Sequence, residues 1–194
     1  NNDSFDEIRK INSTDTFRKE IPLNVRGEPI LSYKAKEIIQ KQIGIENLDQ
    51  GFDSLQFRIW YGYAKDTGQL VVIKNVDKKW TADLITLIYS PANSSDTKVT
   101  ALHSPCIPKS GWNIFIQNLL NLQIVSLPDM SEIGKGITIA DGNAFSVEVA
   151  MSRLYRFYQY QEPEMVKDRL PEAEKMCKIL DLVESELNFE RLNK

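Results

Sequence analysis

The stretch DGNAFSVEVAMSRLYRFYQYQEP, Asp141 to Pro163, decides the fold because it reads well at two periods. At period two, Phe145, Val147, Val149 and Met151 share one face, and Ser146, Glu148 and Ser152 share the other. At period 3.6, Val147, Ala150, Met151, Leu154, Phe157 and Tyr158 make a helical stripe. Periodicity alone does not separate the two, but composition does. Asp141-Gly142 is a turn pair, and LYRFYQY is dense in aromatics that pack well on a pleated surface. The stretch is therefore predicted to be a hairpin, with strands near 144–150 and 154–160 and a turn around Ser152. On this reading Glu148 and Arg156 pair across the hairpin and Arg153 sits at its turn, as structural contacts rather than reactive ones.

Working outward, LQFRIWYGY places Leu55, Phe57, Ile59, Tyr61 and Tyr63 in strict alternation with Gln56, Arg58, Trp60 and Gly62. Short polar turns join it to QLVVIKNV and then to WTADLITLIY, the pattern of an antiparallel meander. A fourth strand is expected over roughly 97–104. Helices are expected over 31–43, with Ser32 as cap and Ala35, Ile38, Ile39 and Gln42 on one stripe, over 111–122, with Ser110 as cap, and over 171–188. The last begins at Pro171 and carries the stripe Ala173, Met176, Cys177, Leu180, Val183 and Leu187. The fold class is α+β: a mainly antiparallel sheet of about six strands with about three helices packed against it.

The chain has 194 residues, 42% of them hydrophobic, which suits one domain with one core. Residues 1–16 are polar and read as a flexible tether, leaving 17–194 as the domain. There is no initiator methionine, as expected of a chain processed or shortened at its front end. The balance of 24 basic and 27 acidic residues gives a net charge of -3, with no electrostatic pull toward nucleic acid or an anionic membrane surface. No apolar run reaches the roughly 20 residues that cross a bilayer. Sequons stand at Asn12 and Asn93.

The succession LQFRIW, VDKKWTADLITLIY, PKSGWNIFIQNLLNLQIVSLPD, DGNAFSVEV and YRFYQYQEPE resembles a family of uncharacterised exported proteins, often lipoproteins, from Bacteroides-type bacteria. The similarity spans roughly 50–190 and rests on aromatic and turn positions. It implies an extracytoplasmic location, in the periplasm or at the cell surface, and a lipid anchor preceding Asn1. It transfers no catalytic residue.

Reactive constellations are thin. His103 is the only histidine, and His103-x-x-Cys106 with Asp141 and Glu148 does not supply the ligand pairs that zinc uses, so no metal or other cofactor is expected. Cys106 and Cys177 could form a disulfide in an exported protein, although the helical stripe already accounts for Cys177. EIGKGITIADG lacks phosphate-loop spacing. The remaining lead is aromatic. Trp60 and Arg58 share the face opposite the apolar parity of their strand, and Tyr155, Tyr158 and Tyr160 crowd the last one. Arg58, Trp60, Tyr155 and Tyr158 are thus the candidate binding residues, with burial beneath helices as the plainer reading of the same rings. The expectation is a non-enzymatic binding or protein-interaction module for a protein or carbohydrate. The competing one is a glycan-acting hydrolase or lyase, using Asp141 or Glu148 as acid or base and Arg153 or Arg156 to hold an anionic group.

Overall fold

A two-residue turn at Ser152 and Arg153 settles the opening stretch as a hairpin of β6 (Ala144–Met151) and β7 (Leu154–Gln161) in the computed structural model of the chain. Residues 3–64, 66–90, 97–134, 137 and 142–192 are described. The turn is one residue wider than a turn centred on Ser152, so positions of unlike parity face each other. Glu148 stands opposite Phe157, and Arg156 opposite Val149. A shift of one residue sends a side chain to the other face of a sheet. The expected Glu148–Arg156 pair is therefore absent. Arg156 instead meets Glu20 at 2.8 Å and donates to the Val125 carbonyl.

The preceding elements are α1 (Asp3–Asn12), β1 (Arg18–Glu20), α2 (Leu31–Ile43), β2 (Leu55–Ala64), β3 (Thr67–Val76), β4 (Lys79–Ser90), β5 (Lys98–Cys106), α3 (Trp112–Asn121) and the short α4 (Met130–Ile133). After the hairpin come the short α5 (Pro163–Val166) and α6 (Pro171–Leu187). The strands form one mixed sheet in the order β1-β7-β6-β2-β3-β4-β5. Only β1 against β7 runs parallel among the described pairs. The class is α+β, with seven strands and six helices among the described residues rather than about six and about three. β1 escapes periodicity because it is three exposed residues long. The turn of α4 is held by a capping box of Asp129 and Glu132.

One sheet face carries Phe57, Ile59, Val71, Ile73, Val147 and Val149 and is covered by α3 and α6, whose Phe115, Leu119, Met176 and Leu180 are buried there. The expected stripe of α6 is buried at every position, behind Pro171 at the helix start. Gly111, not Ser110, occupies the N-cap of α3. Residues 3–12, read as part of a tether, form a helix: Phe5, Ile8 and Ile11 recur at helical spacing and pack on this same core.

The opposite face is crossed by α2, which ends where Gly44 takes a left-handed conformation (φ 70°) and bonds back to Gln40. Its N-cap is Ile30, without a side-chain bond, and the Ser32 hydroxyl instead donates to Gln159. The buried side of α2 carries Tyr33, Lys36, Ile39 and Gln40, so the expected stripe is rotated and Ile38 is 61% exposed. Polar partners on the sheet draw Lys36 and Gln40 inward, which apolar spacing does not register. The loop from α2 to β2 passes so close to the hairpin that a Cβ on Gly51, itself at φ 91°, would lie 2.5 Å from the Met151 carbonyl oxygen. No helix among the described residues is long and apolar enough to cross a membrane.

Two substitutions test this packing. Leu180→Ala should lower unfolding free energy by about 2–5 kcal/mol, and an unchanged denaturation midpoint would mean that α6 faces water. Ile11→Ala should cost about 1–3 kcal/mol. A midpoint indistinguishable from the parent would show that α1 leaves the core in solution and that residues 1–16 act as a tether after all.

Candidate functional site

Glu148 lies on the α2 side of β6, is fully buried, and stands in register opposite Arg58 of β2. An unpaired carboxylate in that position would be strongly unfavourable. Four side chains donate to it. Lys36 Nζ (3.1 Å) and Tyr155 Oη (2.9 Å) reach Oε1, Trp60 Nε1 reaches Oε2 at 2.7 Å, and Gln40 Nε2 lies 3.1 Å from both oxygens. Arg58, itself 1% exposed, adds a charge 3.9 Å from Oε2 and donates to the Glu46 carbonyl.

A second carboxylate shares the lysine. Asp49 Oδ2 accepts from Lys19 Nζ (2.7 Å) and Tyr33 Oη (2.6 Å), and Lys36 Nζ lies 3.8 Å from its Oδ1. Lys36 is 3% exposed, donates to Tyr155 Oη at 2.7 Å, and sits 4.2 Å above the Tyr33 ring, whose negative face favours a cation. Lys19, Lys36 and Arg58 thus meet Asp49, Glu148 and Glu46, a balanced set of three cations and three anions. Every member except Lys19 and Glu46 is enclosed.

Burial sets the protonation of the surrounding groups. It raises the Tyr155 and Tyr33 phenols well above their usual range, and the neighbouring Glu148 and Asp49 charges raise them further, so both act as neutral donors. Burial lowers Arg58, against the opposing pull of Glu148 and Glu46. Burial also works against ionisation of Asp49, but the bonds from Lys19 and Tyr33 and the charge of Lys36 outweigh it and hold this carboxyl below its ordinary value.

Beside the cluster, between α2 and the sheet, is a cavity of about 380 Å³. Ala35, Gly62, Ala144 and Ser146 open it, and Trp60, Tyr89, Phe157, Ile39 and Leu87 contribute its apolar wall. A glycine inside a strand marks a place where side-chain bulk is excluded. A second cleft of about 500 Å³ runs over Gln56, Arg58, Lys74, Asp83 and His103.

Of the four residues singled out from sequence, Trp60, Arg58 and Tyr155 converge on Glu148. Tyr158 does not join them. It points to the other face and donates to the Ile124 carbonyl at 2.8 Å. Arg153 is exposed at the hairpin turn and Arg156 is on the face away from Glu148, so neither could hold an anion beside it. Asp141, Lys135 and the Asn93 sequon lie outside the described residues. His103 Nδ1 meets Asp83 Oδ2 and remains half exposed, with no cluster of three metal-binding side chains among the described residues. Cys106 and Cys177 are free thiols, and burial raises the Cys177 thiol to about 11. Lys36, Gln40, Tyr33 and Asp49 were not foreseen, since only their polarity inside otherwise apolar surroundings could have marked them.

Comparison of the chain with protein-family models, with curated proteins and with solved structures finds no match.

The depressed Asp49 value makes stability depend on pH in one direction. A carboxyl held below its unfolded value stabilises the fold fully above that value, about 3.9, and the contribution is lost as pH falls through the lower folded one. Asp49→Asn should thus reduce stability at neutral pH while flattening the loss below about pH 4. Urea midpoints at pH 7 and pH 3 measure both, and an equally steep acid loss in variant and parent would show that Asp49 titrates as an ordinary surface carboxyl.

Proposed function

We propose that the chain is a non-enzymatic binding module that lodges a small ligand in the cavity between α2 and the sheet, against Trp60. The observation carrying this reading is the full commitment of Glu148. Its two oxygens take bonds from four side chains, so this carboxylate is occupied in holding Lys36 and Trp60, which line the cavity. A general acid or base needs an exchangeable proton within reach of substrate, whereas a receptor site needs a preformed apolar concavity with few polar groups. At about 380 Å³ the cavity falls within the range of small-molecule sites, about 300–1,000 Å³. The resemblance to exported lipoproteins adds the setting: a module in the periplasm or at the cell surface, held to the membrane by a lipid preceding Asn1. A carbohydrate or protein partner belongs to the same proposal, reached through the rim of this cavity.

Ala35 on α2 lines the cavity, and tryptophan there would fill it. Native mass spectrometry of the protein taken from its own cells should reveal a bound mass that Ala35→Trp loses while remaining folded. The reading fails if the blocked variant retains that mass. It fails equally if the parent cleaves a glycan and Glu148→Gln does not.

A further inference from the structure

We propose that the cavity takes a small, uncharged aromatic ring compound, oriented by a hydrogen bond to the Ser146 hydroxyl. This rests on the binding reading above and adds the chemical class of the ligand.

Three observations carry the class. The first is charge. Lys36 is the one ionic side chain lining the cavity among the described residues, and its ammonium is committed to Glu148, Tyr155 and Asp49. The six charges behind the wall cancel, so neither an anion nor a cation would find a free counter-charge among the described lining residues. Desolvating a charged ligand there would go uncompensated.

The second is the wall itself. Trp60, Phe157 and Tyr89, with Ile39 and Leu87, present rings and aliphatic groups to the space that Ala35, Gly62 and Ala144 leave open. Flat rings gain from aromatic walls both area and favourable edge or offset contacts.

The third is an unused polar group. Ser146 is 7% exposed, lines the cavity, and stands in register between Trp60 and Gln159. Its hydroxyl bonds to no other described residue. Ser146 lines the space a ligand would fill. It can donate to or accept from a single ligand group. The neighbouring Ser32 hydroxyl is already given to Gln159. A sugar carries several hydroxyls, each requiring a partner once desolvated, whereas Trp60, Phe157, Ile39 and Leu87 offer this space apolar surface. One ring with one hydroxyl or carbonyl fits it better.

The test uses three probes of one size and shape: 2-naphthol, 2-naphthoate and 2-naphthylmethylammonium, with methyl β-glucoside as a fourth. Binding is read from the indole N–H signals of the three tryptophans, assigned with Trp80→Phe and Trp112→Phe. Trp60 should move on titration with 2-naphthol while Trp80 and Trp112 stay, and 2-naphthol should bind at least about tenfold tighter than either ion, the factor expected from one uncompensated charge contact. Ser146→Ala should weaken 2-naphthol roughly 2- to 12-fold, the worth of one neutral hydrogen bond, and Ala35→Trp should abolish the shift. If an ion or the glucoside moves Trp60 best, and Ala35→Trp still blocks it, the ligand class is wrong and the binding site stands. If Ser146→Ala binds 2-naphthol as well as the parent, the hydroxyl does not orient the ring. If no probe moves Trp60, the cavity is not a ligand site and the binding reading falls with the class.

Discussion

A carboxylate without access to water sits at the centre of the sheet, and the second layer of the protein is arranged around it. Glu148 receives donors from α2, β2 and β7 at once, so each of those elements is positioned by the same two oxygen atoms. Removing any donor would leave charge uncompensated in a place where water cannot replace it. A polar network of this kind tolerates little displacement of its members. The seating of α2 follows, because Lys36 and Gln40 must both point down at β6 and in doing so turn Ile38 outward.

The cavity is a consequence of the same arrangement. With α2 held over Glu148, the small residues Ala35, Gly62, Ala144 and Ser146 lie at one end of the contact and leave space unfilled. Interiors ordinarily close such gaps. Here the rigid network on one side and the strands on the other keep the walls apart. Charge balance within the network makes the neighbouring space neutral in character, and that neutrality underlies the ligand class proposed. The opposite sheet face is built differently: Phe57, Ile59, Val147 and Val149 meet α3 and α6 through apolar contact, which supplies stability without polar constraint.

Much of the fold was legible because its signals are periodic. The alternation from Leu55 to Tyr61 and the stripe from Ala173 to Leu187 are repeated patterns, and both have the faces that spacing assigns them. The hairpin at 144–161 was legible as a hairpin, but its facing was not. A turn of two residues rather than one exchanges the partners of Glu148, a distinction the alternation does not carry. α1 stayed hidden because its three apolar residues are diluted by charge. β1 is too short to show a period at all. For the site, Arg58 and Trp60 were marked by lying on the face opposite the apolar parity of their strand, and Tyr155 by the crowding of tyrosines on the last one. Lys36, Gln40 and Asp49 resemble ordinary surface residues until the tertiary structure buries them, since a lysine is enclosed only when partners exist elsewhere in the chain.

The double-mutant cycle between Lys36 and Glu148 examines this organisation most directly. Lys36→Met and Glu148→Leu should each cost about 3–5 kcal/mol, because each strands the other's charge in the interior. Together they should cost less than the sum by at least about 1 kcal/mol, the coupling expected of residues in one buried network. Urea unfolding of the four proteins measures it. Additive losses, or singles within about 0.5 kcal/mol of the parent as at an exposed surface, would contradict the central place given to the Glu148 carboxylate.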